Sequence, residues 1–364
     1  MITIDEIKFD SRSPDARRSI VNVRQNAIRF LGKPRWRRTE CVNPEDSRVV
    51  YALKSARSKK LTIEASFTSA FDGAGRAEVR VQHHVKARHI RFKNGKSGFI
   101  RFELINPLTR YGRIGVWDTE WKWEYRNKHH RGWRLIGRSC HRIYVLLNLP
   151  KAPWRQYPFT SNNTQLLWTD VLDYACRWAA GARTVRHAAS LITRNVYALG
   201  PTTFTYDCRG GGNSNYSYPD FDCTALLERL RGDIGNGQYV NCSDCAAMVS
   251  TFANALGCDL WQSKMGWNFA LNRLLAIGGS RWQTPCGWYW FQYHEVAWKN
   301  PCTATDGLFD ACLQVDGNDN PGRPPLPSLP CGVRFDRYVY RLASPIGRPN
   351  CIPRPQTKQR RRVV

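Results

Sequence analysis

The 364-residue sequence predicts an α+β protein in two parts: a basic, aromatic-rich β-sandwich over 1–150, then a domain of helices and strands over 151–351. Three observations predict this. The first 150 residues hold short alternating apolar–polar runs separated by turn residues, the pattern of a sandwich. At PKAPW (150–154) the texture changes to helical spacing. Apolar residues make up 42% of the chain, enough for a core in each part.

In the first part, LTIEASFTSAF (61–71) and AEVRVQHHV (77–85) alternate as strands. HIRFKNGKSGFIRFEL (89–104) reads as two strands about Asn94-Gly95, a hairpin signal. In GVWDTEWKWEY (115–125), Trp117, Trp121, Trp123 and Tyr125 share one face, and Asp118, Glu120, Lys122 and Glu124 the other. The aromatic face fits a sandwich core, with a stacking surface for bases or sugars as the alternative. HRIYVLLNL (141–149) ends this part.

In the second part, 166–182 and 184–199 carry helical spacing, 204–223 is a Gly/Asn/Ser-rich loop, and 224–232 is a short helix. NFALNRLLAIGG (268–279) reads as a helix; GWYWFQYHEVAW (287–298), GLFDACLQVDG (307–317) and GVRFDRYVYRLA (332–343) read as strands. Residues 352–364, rich in Pro and bases, read as a disordered tail.

The formal charge is +26, and residues 1–150 hold 32 Lys+Arg against 14 Asp+Glu, an excess of 18. A basic first part suits an anionic partner such as nucleic acid, a membrane surface or an acidic polymer; a solvated surface is the plainer alternative. The opening residues carry acids where a secretory signal has bases, and no apolar run reaches a membrane span. The expectation is a cytoplasmic protein, or one exported without a signal peptide. Of 13 cysteines, 11 follow residue 170; without a signal peptide, reduced and buried thiols are expected ahead of a disulfide framework.

One stretch concentrates the chemistry: NCSDCAAMVSTFANALGC (241–258). Ala246, Val249, Ala253 and Leu256 mark a helix face, Asn241 is suited to the N-cap, and Gly257 to the stop. Cys242 then lies in the first turn, where backbone N–H groups and the helix dipole favour a thiolate. A zinc site would need partners for Cys242 and Cys245, and no second C-x-x-C or H-x-x-x-H follows. A thioredoxin-like redox pair would need a βαβ setting. A nucleophile needs a base, and His294 is the one histidine after Cys242. Asp310, among alternating apolar Phe309, Ala311, Leu313 and Val315, can face His294 from an adjacent antiparallel strand and orient the imidazole. Gln238 and the Cys242 N–H are candidate oxyanion donors. DGNDNPG (316–322) lacks the acid and glycine of a calcium loop and reads as a turn.

This order of residues resembles the transglutaminase-like superfamily, a branch of the papain-like fold. The matching segments are Cys242-Ser243-Asp244-Cys245-Ala246 with Leu256-Gly257, then His294-Glu295-Val296, then Phe309-Asp310. The resemblance covers roughly 165–345. It implies that Cys242 is the nucleophile, with Cys245 in a packing position, and that a Cys242–His294–Asp310 triad forms a thioester acyl-enzyme without metal or cofactor. Val296 stands where the family often has Trp, and Ala311-Cys312 where it often has Pro-Thr; these departures bear on substrate class. The expected activity is that of a thiol protein-glutamine acyltransferase, amidase or peptidase acting on a protein or peptide. Trp288, Trp290 and Trp298 are candidates for excluding water. Two other readings stand beside it: a nucleic-acid or polyanion binding protein with an inactive second domain, and a structural protein whose cysteines are core.

Overall fold

The structure, a computed structural model, describes residues 2–10, 19–38, 43–52, 61–70, 75–105, 112–129, 131–155, 165–210, 212–300, 303–318, 322–345 and 358–364. The chain divides into two compact units, with the division between Leu149 and Pro150. Helices and strands are mixed, and no described helix is long and apolar enough to cross a membrane.

The first unit holds a four-stranded sheet, in the order 35–37, 2–8, 62–69, 100–103, and a five-stranded sheet, in the order 48–52, 134–146, 115–126, 76–81, 85–91. Alternation builds both: in Thr62–Ser69 every second side chain is buried. One core takes Ile4, Ile63 and Phe67 from the first sheet and Val79, Trp121 and Trp123 from the second. Phe67 and Phe102 meet Trp123 edge-on at 5.6 and 5.8 Å. Trp117 is only partly buried, so the aromatic side of that strand is core at Trp121, Trp123 and Tyr125.

The Asn94-Gly95 turn forms, with both residues at positive φ and Lys93 and Lys96 exchanging backbone hydrogen bonds at 2.9 and 3.1 Å. It does not close a hairpin. Its flanking strands belong to different sheets, Val85–Arg91 pairing with 76–81 and Ile100–Glu103 with 62–69.

Among its described residues the second unit contains five α-helices: α1 (Thr169–Trp178), α2 (Val185–Tyr197), α3 (Cys223–Leu230), α4 (Cys242–Ala255) and α5 (Phe335–Leu342). A five-stranded antiparallel sheet runs in the order 331–334, 307–309, 294–298, 261–265, 358–359. Every residue of α4 is buried. Its apolar residues therefore occupy all faces rather than one stripe, as in a central helix. It packs on α1, α2 and the strand His294–Trp298.

Four segments depart from the sequence expectation. Residues 268–279 form no helix: Asn268 has φ +52°, and the Asn272 amide reaches the carbonyls of Tyr340, Arg341 and Ala343 at 3.2 Å each. The run 287–298 splits into Trp290–Phe291 and His294–Trp298, which pair with different strands. The run 332–343 becomes Cys331–Arg334 followed by α5, whose buried residues Phe335, Tyr338, Val339 and Leu342 have helical spacing. The tail is not disordered over 358–364: Lys358–Gln359 pairs with 262–263, Val363 is buried, and Arg361 enters a buried ion pair. Residues 351–357 lie outside the described residues. So does part of the 316–322 turn, whose Asp316 carboxylate accepts the N–H groups of Asn318 and Leu326, both at 3.0 Å.

Asn254, fully buried near the end of α4, accepts from Leu260 N–H at 2.6 Å and donates to the carbonyls of Leu260 and Ala152, each at 2.8 Å. Asn254→Ala strands three backbone groups. It is expected to destabilise the protein by roughly 2–4 kcal/mol, read as a lower urea midpoint.

Candidate active site

The site begins with the capping of α4. The Asn241 side chain accepts the Asp244 N–H at 3.0 Å, and the Asp244 carboxylate accepts the Asn241 N–H at 3.1 Å, a reciprocal capping box. Asp244 is fully buried and also accepts the hydroxyls of Ser214 and Ser217, at 2.6 and 2.9 Å, and the N–H groups of Asn215 and Tyr216. The polar loop before α3 is thus wrapped around the head of α4. Asn241 adds a bond to the Gly212 carbonyl at 2.7 Å. Cys242 is the first helical residue and is 5% exposed.

His294 opens the strand beside α4, in register with Met265, and is fully buried. Its Nε2 lies 2.9 Å from Oδ2 of Asp310. Asp310 does not sit within one continuous strand. The strand Gly307–Phe309 ends beside it, and its Oδ1 accepts the N–H groups of Cys312 and Leu313, which breaks the ladder before Leu313–Asp316. Its Oδ2 also accepts the Tyr338 hydroxyl at 2.5 Å. Both carboxylate oxygens are therefore fixed, and one faces the imidazole.

The other imidazole nitrogen, Nδ1, is buried with no partner at ordinary hydrogen-bond geometry among the described residues, and the Cys242 thiol acts on the ring as a hydrogen-bonding and charged neighbour. Burial works to lower the His294 pKa, but Asp310 and Cys242 outweigh it and push it up to about 10. The ring sits in a column: Tyr206 on Phe291 at 6.3 Å, Phe291 on His294 at 5.9 Å, His294 on Tyr338 at 6.3 Å. Tyr206 and Tyr293 are both electrostatic neighbours of Cys242, and burial raises both phenols above their ordinary range.

Cys245, one turn into α4, is buried against the Cys312 thiol. That hydrogen bond works downward on Cys245, yet burial and nearby acids leave its pKa raised; for Cys312, burial first and then Cys245 raise it well above normal. Gln238 is exposed, and its carbonyl accepts the Thr205 N–H at 2.8 Å; among the described residues no hydrogen bond ties its side chain to Cys242. No ring contact joins Trp288, Trp290 and Trp298: Trp298 is buried on Phe335, Trp288 meets Tyr206, and Trp290 is exposed. Cys208 and Cys286, 78 residues apart in sequence, form a disulfide between the loop around α4 and the turn preceding Trp290–Phe291. This corrects the expectation of reduced thiols at these two positions. Among the described residues no group of three or more His, Cys, Asp or Glu is placed to hold a metal.

Sequence reasoning missed the support behind this arrangement. Ser243, next to Cys242, donates to Oε2 of Glu295, next to His294, at 2.5 Å. Glu295 is buried and takes both Arg361 nitrogens, at 2.8 and 3.0 Å, while Arg361 also donates to Gln262 at 2.7 Å. The nearest signals were the conspicuous Glu after His294 and the basic run 360–362. Nothing local joins them.

No protein-family model matches this sequence. No curated protein matches it. Among solved structures it is similar to red sea bream transglutaminase, at 12% identity and a TM-score of 0.37, over 76% of this chain and 51% of that one. This chain thus spans about half the length of that structure. A likeness of that degree carries no conclusion about chemistry.

Arg361→Ala leaves Glu295 buried without its cation. The expected loss is roughly 3–5 kcal/mol of stability by chemical denaturation, with much of it recovered when Glu295→Gln is added.

Proposed function

We propose that this chain is a transglutaminase-like cysteine acyltransferase or hydrolase acting on carboxamide or peptide bonds through Cys242, His294 and Asp310. One observation carries the reading: a fully buried imidazole with one nitrogen fixed on a carboxylate and the thiol of a helix-opening cysteine as its other hydrogen-bonding and charged neighbour.

In this reading the proton shared by Cys242 and His294 already rests on the imidazole, and the Cys242 sulfur attacks the carbonyl carbon as a thiolate. Asp310 holds the proton on Nε2 and balances the imidazolium. When the tetrahedral adduct collapses, the C–N bond breaks and His294 returns the proton to the departing ammonia or amine, leaving a thioester on Cys242. An amine acceptor then gives an isopeptide bond; water gives a carboxylate. N–H groups at the head of α4 are available to the oxyanion, and the buried Tyr206 hydroxyl, which has Cys242 among its electrostatic neighbours, is a stronger side-chain candidate than the exposed Gln238. The substrate is a protein or peptide, and the chemistry needs no metal or organic cofactor.

Limiting iodoacetamide at about pH 6 tests the nucleophile, since ordinary thiols are nearly unreactive there. Labelling located by mass spectrometry is expected at Cys242 ahead of Cys245 and Cys258, and to be lost in His294→Ala. Labelling indifferent to His294 would overturn the proposal.

The imidazole supplies a second test. With a folded pKa of about 10 against an ordinary 6.5, the His294 proton contributes stability that is complete below 6.5 and lost as pH rises through about 10. Nuclear magnetic resonance should find the ring protonated at about pH 8. In Asp310→Asn, burial is opposed far less, so the ring should already be neutral there.

A further inference from the structure

The excess positive charge of the first unit is sorted by the fold. Across three neighbouring strands, Arg126 pairs with Glu78, Arg80 with Glu124, Arg138 with Glu120, and Arg142 with Asp118. This ladder engages every carboxylate on 76–81, 115–126 and 134–146. Cations beyond the ladder are left over, and they are not spread evenly.

Beside the strands 76–81 and 85–91 lies a cavity of about 980 Å³. Arg76, Lys128 and Arg131 line it, all exposed and, among the described residues, without a carboxylate partner. His89 and His129 line it as well. Among the described lining residues the one acid, Glu78, is already held by Arg126. The floor is apolar, from Ile2, Ala77 and Phe92, all buried. A solvated basic face requires neither the concavity nor the apolar floor. Three like charges around one hollow repel each other and focus a positive potential into it, which an anion relieves.

We propose that this cavity binds a nucleic-acid strand through its phosphodiester backbone. Arg76, Lys128 and Arg131 take successive phosphates, and the floor at Ile2 and Phe92 accepts the sugar or base between them. Long cationic side chains reaching phosphates fix position without reading sequence, so binding is sequence-independent and driven by counterion release. This is a function of the first unit and does not depend on the chemistry proposed for Cys242.

The test uses the full chain and a fluorescently labelled, mixed-sequence single-stranded oligonucleotide, followed by anisotropy over a salt series. With three phosphates engaged, the logarithm of the binding constant should fall against the logarithm of salt with a slope near −2. Arg76→Ala/Lys128→Ala/Arg131→Ala should weaken binding at least about tenfold and flatten most of that slope. Lys33→Ala/Arg101→Ala/Arg134→Ala removes the same charge from exposed positions outside the cavity and should weaken binding less than about threefold. Melting curves check that both triples fold; if the cavity triple does not, Lys128→Glu alone replaces it and should still weaken binding more than Arg134→Glu. Equal losses in cavity and control variants would overturn the site. So would a protein that ignores the oligonucleotide, whether or not it binds a sulfated polysaccharide or anionic vesicles.

Discussion

The second unit is organised by a helix that has no exposed side chain. All of α4 is buried, and apart from the Thr251 hydroxyl, which has no hydrogen-bond partner among the described residues, the oxygen- and nitrogen-bearing side chains on it are bonded inside the protein. The partners lie in segments far apart in sequence. Ser243 reaches Glu295, Asp244 gathers 214–217, Ser250 accepts from Gln262, and Asn254 holds Ala152 and Leu260. The carbonyl of Thr251 accepts the Trp154 indole at 3.1 Å. Apolar packing alone would leave α4 free to rotate or slide among hydrophobic neighbours. The polar spokes fix its rotation and depth, and so fix where Cys242 points.

The chain contains a control for its own electrostatics. His141 and His294 are both fully buried. His141 has a serine hydroxyl on each nitrogen, Ser47 and Ser139 at 2.8 Å, and burial pushes its pKa down to about 3. His294 has a carboxylate on one nitrogen and a thiol beside the other, and its pKa is pushed up to about 10. Equal burial therefore gives opposite charge states, decided by whether the neighbour can carry negative charge. The first histidine is fully satisfied and serves the core. The second is paired with two ionisable groups, which hold its pKa above the ordinary value instead of below it.

The elements that carry Cys242 and His294 were legible because their signals are local. An N-cap asparagine, helical apolar spacing and a terminal glycine define α4, and the strand expected over 287–298 forms at 294–298, where all five residues are buried rather than alternating. Asp310 was legible as a residue but not in its geometry, since its own side chain ends the strand that alternation extends. Tyr338 was missed because Val333, Phe335 and Val339 also suit a strand; only packing selects the helix that carries Tyr338 to Asp310. Arg361 was hidden by composition. A Pro-rich basic tail reads as solvated, and the carboxylate that fixes this arginine lies 66 residues earlier. The same limit applies to Cys208 and Cys286, whose pairing depends on a loop and a turn that sequence patterns do not bring together.

Two linkages of different kind hold the halves of the site together. Within the core, Ser243 and Glu295 join the residues that follow Cys242 and His294, and Arg361 neutralises the carboxylate that this junction requires. Outside the core, the disulfide joins the loop wrapped on α4 to the turn that leads into Phe291 and His294. Between these linkages the Cys242 residue is 5% exposed and the His294 imidazole has no exposure. The inner linkage lies on buried, regular elements and cannot yield without unfolding them. The segments carrying the disulfide are loop and turn, with Cys208 and Trp290 exposed. On that outer side Tyr206 packs on both Trp288 and Phe291, while Ser243 and Glu295 join the segments of Cys242 and His294 from below.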